Sequence, residues 1–231
     1  MDRMGIVLAG AGGFALEVEQ YIIDCAAAGR GLFDSDGSPV TAGDLVALDS
    51  KGADRSADFR TTSLTILDTD SGPRSDVHFL IAIGQPDLRR SVWLRLRERG
   101  ARFATLVHPT AYVAGSSRVG RGCIVCPFGF VGVLADVGPN VALNVHCSIG
   151  HDAVVGDHSV LSPFACVGGE SVLGAACLLG PACVVAPKKT IGAYSRISAG
   201  AAVYDDFGAG HLLVGNPARG RRMFAVPDGG A

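Results

Sequence analysis

Residues 143–173 read LNVHCS-IGHDAV-VGDHSV-LSPFAC-VGGESV-L, five successive blocks of six that each open on an aliphatic residue. The frame runs far beyond them in both directions. From Val107 to Val203 every sixth position is Val, Leu or Ile, 17 positions out of 17 across 96 residues. The residue after each aliphatic is usually small, with glycine at Gly120, Gly132, Gly138, Gly150, Gly156, Gly168, Gly174, Gly180 and Gly192, and the fifth position of each block is mostly Ser, Ala or Cys. A helix repeats every 3.6 residues and a strand every two, so neither produces this spacing.

A period of six suits a parallel β-helix with three short strands per coil: the aliphatic residue points into a narrow triangular lumen and small residues fit the corners. Three blocks make a coil, so the series spans a little over five coils, stacked at about 4.8 Å into a prism roughly 25 Å tall. Only nine charged residues fall between Thr105 and Val203, against 33 in the other 132 positions. Faces that apolar call for a protein partner, and three flat prisms around a threefold axis supply one, so a homotrimer is expected.

Upstream, residues 1–104 read as a separate small α/β domain, and residues 105–231 as the prism with a C-terminal cap. A strand at Met4–Leu8, a glycine turn at Gly10–Gly13 and a helical run from Phe14 to Ala28 form a βα unit. A second strand ending at Phe33-Asp34, a third at Val77–Ile83 and a helix from Asp87 to Arg99 closed by Gly100 complete a Rossmann-like sheet. The Gly-, Asp- and Ser-rich segment 40–74 has room for one more βα pair. Gly10-Ala11-Gly12-Gly13-Phe14-Ala15 fits G-x-G-x-x-(G/A), with Asp34 about 20 residues on. Amides at such a turn and the positive end of the helix hold a phosphate or pyrophosphate, and the acidic residue accepts from ribose or base. A domain near 100 residues is short for a full dinucleotide fold, so a nucleotide-sugar diphosphate is the better ligand.

Composition removes several classes of function. The formal net charge of -2 offers no basic stripe to release counterions from nucleic acid. No run approaches the roughly 20 apolar residues of a membrane span, and the first residues lack the apolar block of a signal peptide, so a cytoplasmic protein with no membrane partner is expected. Seven cysteines without a small-domain framework read as free thiols. Cys123 and Cys126 form a C-x-x-C with no second pair, and with Cys147, Cys177 and Cys183 they occupy small-residue slots rather than acting as nucleophiles.

Among the six histidines, His78 in an apolar strand and His108 at the start of the prism read as structural. His151 stands outside the aliphatic column, with Asp152 next to it. Residues 18 apart sit on adjacent coils, so Gly169 lies above His151, where a substrate meets an imidazole and a backbone N–H together. That pairing suits acyl transfer: the neutral imidazole takes the proton of an attacking amine or hydroxyl, Asp152 orients it, and the N–H stabilises the oxyanion. His146 and His151, five apart, resemble the zinc-ligand spacing of the γ-class carbonic anhydrases, but the third ligand of that family falls on Thr110, so no metal is expected. His146 shares its column with Phe128 and Phe164 and is expected to pack on them. Lys188, Lys189, Arg219, Arg221 and Arg222 are late basic residues suited to phosphates.

The opening GAGGFA, AIGQPDLRR before the second helix, Leu106–Ala111, Asn144 with IGHDAVVGD, and Val214–Arg219 together resemble the two-domain sugar acyltransferases of the hexapeptide-repeat family, which include sialic acid O-acetyltransferases and nucleotide-linked bacillosamine and perosamine N-acetyltransferases. The resemblance covers nearly the whole chain and implies a left-handed β-helix. It implies a base at His151 with Asp152 beside it, an active-site asparagine at Asn144, and a thioester-facing amide at Gly169. It further implies acetyl-CoA between subunits along Gly168, Gly200 and Gly215, Pro217 and Arg219, and nucleotide contacts at Gly10, Gly12, Gly13 and Asp34. The chain departs from the family's pattern in three places. Phe14 stands where members have histidine, Asp34-Ser35-Asp36 replaces two consecutive acids, and Val160 occupies the place of a second histidine, for which His158 is the nearest substitute. The expected activity is acetyl-CoA-dependent N-acetylation of a nucleotide-linked amino sugar. The alternatives are O-acetylation by the same base and a trimer that binds nucleotide sugar without turnover.

Overall fold

The computed structural model describes residues 4–10, 12–34, 38, 42–48 and 77–227. The chain runs through β1 (Met4–Ala9), α1 (Gly13–Ala28), β2 (Leu32–Phe33), β3 (Ala42–Leu48), β4 (Val77–Ile81), α2 (Pro86–Glu98) and β5 (Arg102–Phe103), then enters a solenoid at β6 (Thr105–Val107). From Tyr112–Val113 to Ala202–Val203 each strand is two residues long and ends on the periodic aliphatic. Val125, Val131, Leu143, Ile149 and Leu161 are fully enclosed in the lumen, and Cys123, Ala135, Cys147 and Ala165 from the fifth position fill the gaps between them.

Pairing joins residues 18 apart, as Ser148 with Cys166 and Ile149 with Val167, and the strands stack into three parallel faces. The first face runs from β6 to His211–Val214, the second from Tyr112–Val113 to Ala202–Val203, and the third from Arg118–Val119 to Thr190–Ile191. Seven rungs from β6 to His211–Val214 on the first face make about six turns, more than the periodicity alone indicates. The frame does not stop at Val203; it shortens. Ile191 bridges Phe207 and Ile197 pairs with Leu213, a step of 16 instead of 18, so the last coil loses two residues at its corner and drops out of the six-residue count.

The corners explain why the coils stay in register. From Phe128 to Tyr194 the third residue after each aliphatic is left-handed, and all twelve, none of them glycine, have φ between 53° and 64°. Each costs about 1 kcal/mol. Ten of their amides meet a carbonyl of the coil before, as Asp152 N–H donates to Val133 O at 3.0 Å, Glu170 to His151 O at 2.8 Å and Lys188 to Gly169 O at 2.9 Å, while those of Phe128 and Leu134 donate to the hydroxyls of Thr110 and Ser116. Such a bond returns about 1 kcal/mol, close to offsetting the strain. The small second position has an equally local cause, since a Cβ on Gly150 would lie 2.5 Å from the nitrogen of Gly169.

Ahead of the solenoid, four strands form a parallel sheet in the order β3-β1-β4-β5. α1 packs on the face bearing Ile6, Leu8 and Leu80, and α2 packs through Trp93 and Leu96 on the face bearing Val7, Phe79 and Ile81. Gly100 at φ 78° closes α2, with its N–H on Arg97 O and the Ala101 N–H on Leu96 O. The expected second strand is not part of this sheet. β2 instead pairs antiparallel with β6, because Leu32 joins the apolar cluster that α1 shares with Leu106 and Ile124 of the solenoid. Within segment 40–74 the strand β3 is present, and the rest of the expected βα pair lies outside the described residues. α2 is locked to the prism by Arg89, fully buried, which donates to Asn140 O at 2.6 Å, to Ile81 O, and to Gly122 O at 3.4 Å. No helix among the described residues is long and apolar enough to cross a membrane.

Candidate functional site

His151 and Asp152 occupy the corner between the second and third faces. The frame dictates that corner: Ile149 is committed to the lumen, Gly150 must be small, and the next two residues turn outward with Asp152 left-handed at φ 56°. His151 Nδ1 lies 2.9 Å from Asp152 Oδ2, with 60% of the imidazole and 47% of the carboxylate exposed. The carboxylate therefore engages one ring nitrogen and leaves Nε2 to face outward chemistry.

One coil on, a Cβ built on Gly169 would lie 2.6 Å from His151 Nε2. The imidazole thus fills the space that any other residue at 169 would claim. Gly169 N–H donates to no group among the described residues. Proline explains why. Pro109, Pro127, Pro139, Pro163, Pro181 and Pro187 all occupy the same slot of the six-residue block as Gly169, and proline has no N–H, so the prism needs no amide there. Gly169 keeps a donor that the fold does not use, beside a paired imidazole. That is the arrangement required to hold a developing oxyanion next to a base.

The other expected residues are not gathered round His151 within one chain. Asn144 sits at the corner between the first and second faces, with the strand Ser148–Ile149 between it and His151; its Oδ1 accepts from Val145 N–H at 2.8 Å. Gly168 adjoins Gly169, where a Cβ would meet Pro187 N at 2.5 Å. Gly200 turns the Asn144 corner three coils above His146 at φ 66°. The loop of Gly215, Pro217 and Arg219 is held to the top of the second face, Ala202 N–H donating to Gly215 O at 3.0 Å and Ala218 N–H to Ala202 O at 2.8 Å. Arg219 is exposed in the strand Arg219–Arg222. These groups border the second face from both of its corners.

At the carboxyl edge of the parallel sheet, Gly12 precedes α1, whose first turn has no acidic residue and no side-chain cap. Nothing lies within 4 Å of a Cβ on Gly12 or Gly13, whereas one on Gly10 would strike Ala82 O at 2.6 Å. Gly10 is therefore demanded by packing, and Gly12 and Gly13 leave open approach to backbone. Phe14 is drawn into the apolar cluster beneath α1. Asp34 departs from expectation. It is 5% exposed, Oδ1 lying 2.9 Å from His78 Nε2 and Oδ2 engaged by Arg102. With β2 drawn onto the solenoid, both of its carboxylate oxygens are engaged inside the protein. Ser35 and Asp36 lie outside the described residues.

Two histidines differ from their neighbour at 151. His146 is sandwiched between Phe128 and Phe164 at 4.8 Å on each side, as its column implies. His158 is not a substitute second histidine: it turns the corner between the third and first faces, beneath α2, with Nδ1 2.9 Å from Asn140 Nδ2 and its ring edge-on to Trp93. Burial, with Arg89, Arg90 and Arg97 nearby, lowers it to about 4. His108 is satisfied by Thr110 and Asp24. Burial pushes the thiols of Cys123, Cys147, Cys177 and Cys183 up to about 12, which leaves them inert at neutral pH. Among the described residues no group of three or more His, Cys, Asp or Glu side chains is placed to hold a metal.

No protein-family model matches the sequence. Solved structures do match. The acetyltransferase domain of PglB from Neisseria gonorrhoeae superposes with a TM-score of 0.81 at 24% identity, over 94% of this chain and 99% of that one. PerB from Caulobacter crescentus, solved with CoA and GDP-perosamine, gives 0.72 at 24%, over 94% and 97%. WeeI from Acinetobacter baumannii gives 0.64 at 20%, over 94% and 100%. This chain shares their fold.

Proposed function

We propose that the chain is an acetyl-CoA-dependent N-acetyltransferase acting on the amino group of a nucleotide-linked amino sugar. The observation that carries this reading is the unused Gly169 amide beside the Nε2 of an imidazole whose other nitrogen is held by Asp152. The sugar amine attacks the thioester carbonyl, His151 Nε2 takes the proton the nitrogen loses, and Asp152 stabilises the imidazolium that forms. Gly169 N–H carries the charge on the carbonyl oxygen, and the C–S bond breaks to release CoA as the proton passes to sulfur. The fold-mates lend support, one being solved with acetyl coenzyme A and another described as a perosamine N-acetyltransferase in complex with CoA and GDP-perosamine.

In this reading residues 1–104 are a Rossmann-like nucleotide-sugar domain that uses Gly10, Gly12 and Gly13, and residues 105–231 a left-handed β-helix. The working unit is a homotrimer. Tyr112, Phe128, Phe130, Leu134 and Phe164 are 44–62% exposed on or beside the second face, an apolar surface that a second copy covers. Asn144 and His151 stand at opposite corners of that face, so a threefold assembly brings the Asn144 corner of one copy to the His151 corner of the next. Acetyl-CoA then lies between Gly168 of one copy and Gly200, Gly215, Pro217 and Arg219 of the other. Free, buried thiols accord with the cytoplasm.

The test is thiol release from acetyl-CoA with a panel of nucleotide-linked 3- and 4-amino sugars, with the matching hydroxy sugars as the O-acetylation arm. Turnover on an amino sugar is expected; turnover confined to the hydroxy sugars, or none, overturns the reading. A single-chain mass in sedimentation removes the interfacial site.

A further inference from the structure

The third corner of the prism, a different corner from that of His151, carries a cavity. Here the first turn of α2, the upper coils and the C-terminal segment enclose about 340 Å³, lined by Asp87, Arg90, Tyr194, Arg196, Phe224, Ala225 and Pro227. That is a small-molecule volume. Three of its side chains are arranged for a ligand. Tyr194 is 5% exposed and its ring forms part of the wall, with the hydroxyl at the accessible side of the cavity and bonded to no described residue. Arg196 is held in place: it donates to Ala176 O and to Asp87 Oδ2, each at 2.6 Å, and its guanidinium lies 5.4 Å from the ring centre of Phe224. Arg90, half-buried on the same wall, has no ion pair among the described residues.

We propose that this cavity binds a small aromatic carboxylate. The charge decides the head group. Asp87 neutralises Arg196, leaving the single positive charge of Arg90, which matches a monoanion better than a phosphate dianion. Arg90 offers two parallel N–H donors and Tyr194 one O–H, a set that satisfies a carboxylate. The walls decide the body. Phe224, Ala225, Pro227 and the Tyr194 ring form an apolar slot in which a flat ring stacks offset, and an aliphatic acid would leave much of it unfilled. Because the ligand touches α2, the prism and the C-terminal segment at once, its binding ties the N-terminal sheet to the solenoid.

The probe is 4-fluorobenzoate, followed by fluorine NMR on the full-length chain, with trifluoroacetate as the anion without a ring and 4-fluorobenzyl alcohol as the ring without an anion. Saturable binding of 4-fluorobenzoate is expected, at least tenfold tighter than either control. Arg90→Gln is expected to weaken it at least tenfold and Tyr194→Phe about threefold, with thermal midpoints unchanged and thiol release in the absence of the probe unchanged in Arg90→Gln. No saturable binding, binding equal to the ring-only control, or binding indifferent to Arg90→Gln overturns the proposal. Loss of acetyl transfer leaves these readouts untouched, so failure of this site and failure of the proposed reaction are distinguishable.

Discussion

His151 and His158 are seven residues apart on consecutive corners of one repeating prism, and they have opposite fates. His151 projects from an uncovered corner, paired with Asp152 and facing an unclaimed amide. His158 faces α2, is 7% exposed, and is lowered to about 4 by burial and three arginines. The repeat supplies equivalent positions; what docks on each corner decides whether an imidazole stays open to solvent or becomes a packed ring.

The comparison is broken most strongly at the exposed corner. His151→Ala is expected to lower kcat by on the order of 10²–10⁴-fold while leaving the urea midpoint in place, because a side chain this exposed adds little to the core. A variant that retains wild-type turnover removes His151 from the reaction. At the covered corner, Arg89→Met deletes the donors to Asn140 O, Ile81 O and Gly122 O and leaves buried carbonyls unpaired, at about 3 kcal/mol in chemical denaturation. The solenoid by itself should keep most of its far-ultraviolet dichroism.

Gly169→Ala sharpens the contrast, since its Cβ falls 2.6 Å from His151 Nε2 and must displace the ring. A displacement near 1 Å costs on the order of 10²-fold in kcat/KM, whereas Ala at the uncrowded Gly115, where nothing lies within 4 Å, should leave activity within about twofold. The smallest effect is one of pH. An unfolded histidine titrates near 6.5, so between pH 6.5 and 4 the unfolded chain binds a proton that buried His158 refuses, and stability falls as pH drops through that window. The contribution is complete above about 6.5 and is lost as pH falls to about 4. Urea midpoints across that range should slope for the wild type and flatten for His158→Gln.

The site's legibility followed the same division. The column of 18 was enough to set Gly169 over His151 and to place His146 among phenylalanines, because strand pairing at 4.8 Å is local and strictly periodic. The free amide at Gly169 had a signal as well, in the six prolines that share its slot. Asp34 had none. Its spacing from the glycine turn is the one a ribose contact requires, yet β2 pairs with β6, and a residue's partner across an antiparallel pair depends on a strand more than 70 positions away. His158 failed for a similar reason: alternation places it on the outside of the prism, and only α2 makes that outside an interior.

What the sequence determined by itself was the coil: seventeen aliphatics at steps of six specify lumen, corners and stacking, since each rung depends only on the rung before it. The tertiary structure decided which corners are covered, where β2 pairs, and that the last coil tightens by two residues. Those outcomes rest on contacts between segments far apart in the chain, whose burial of Arg89, Trp93 and Leu32 leaves no periodic trace along it.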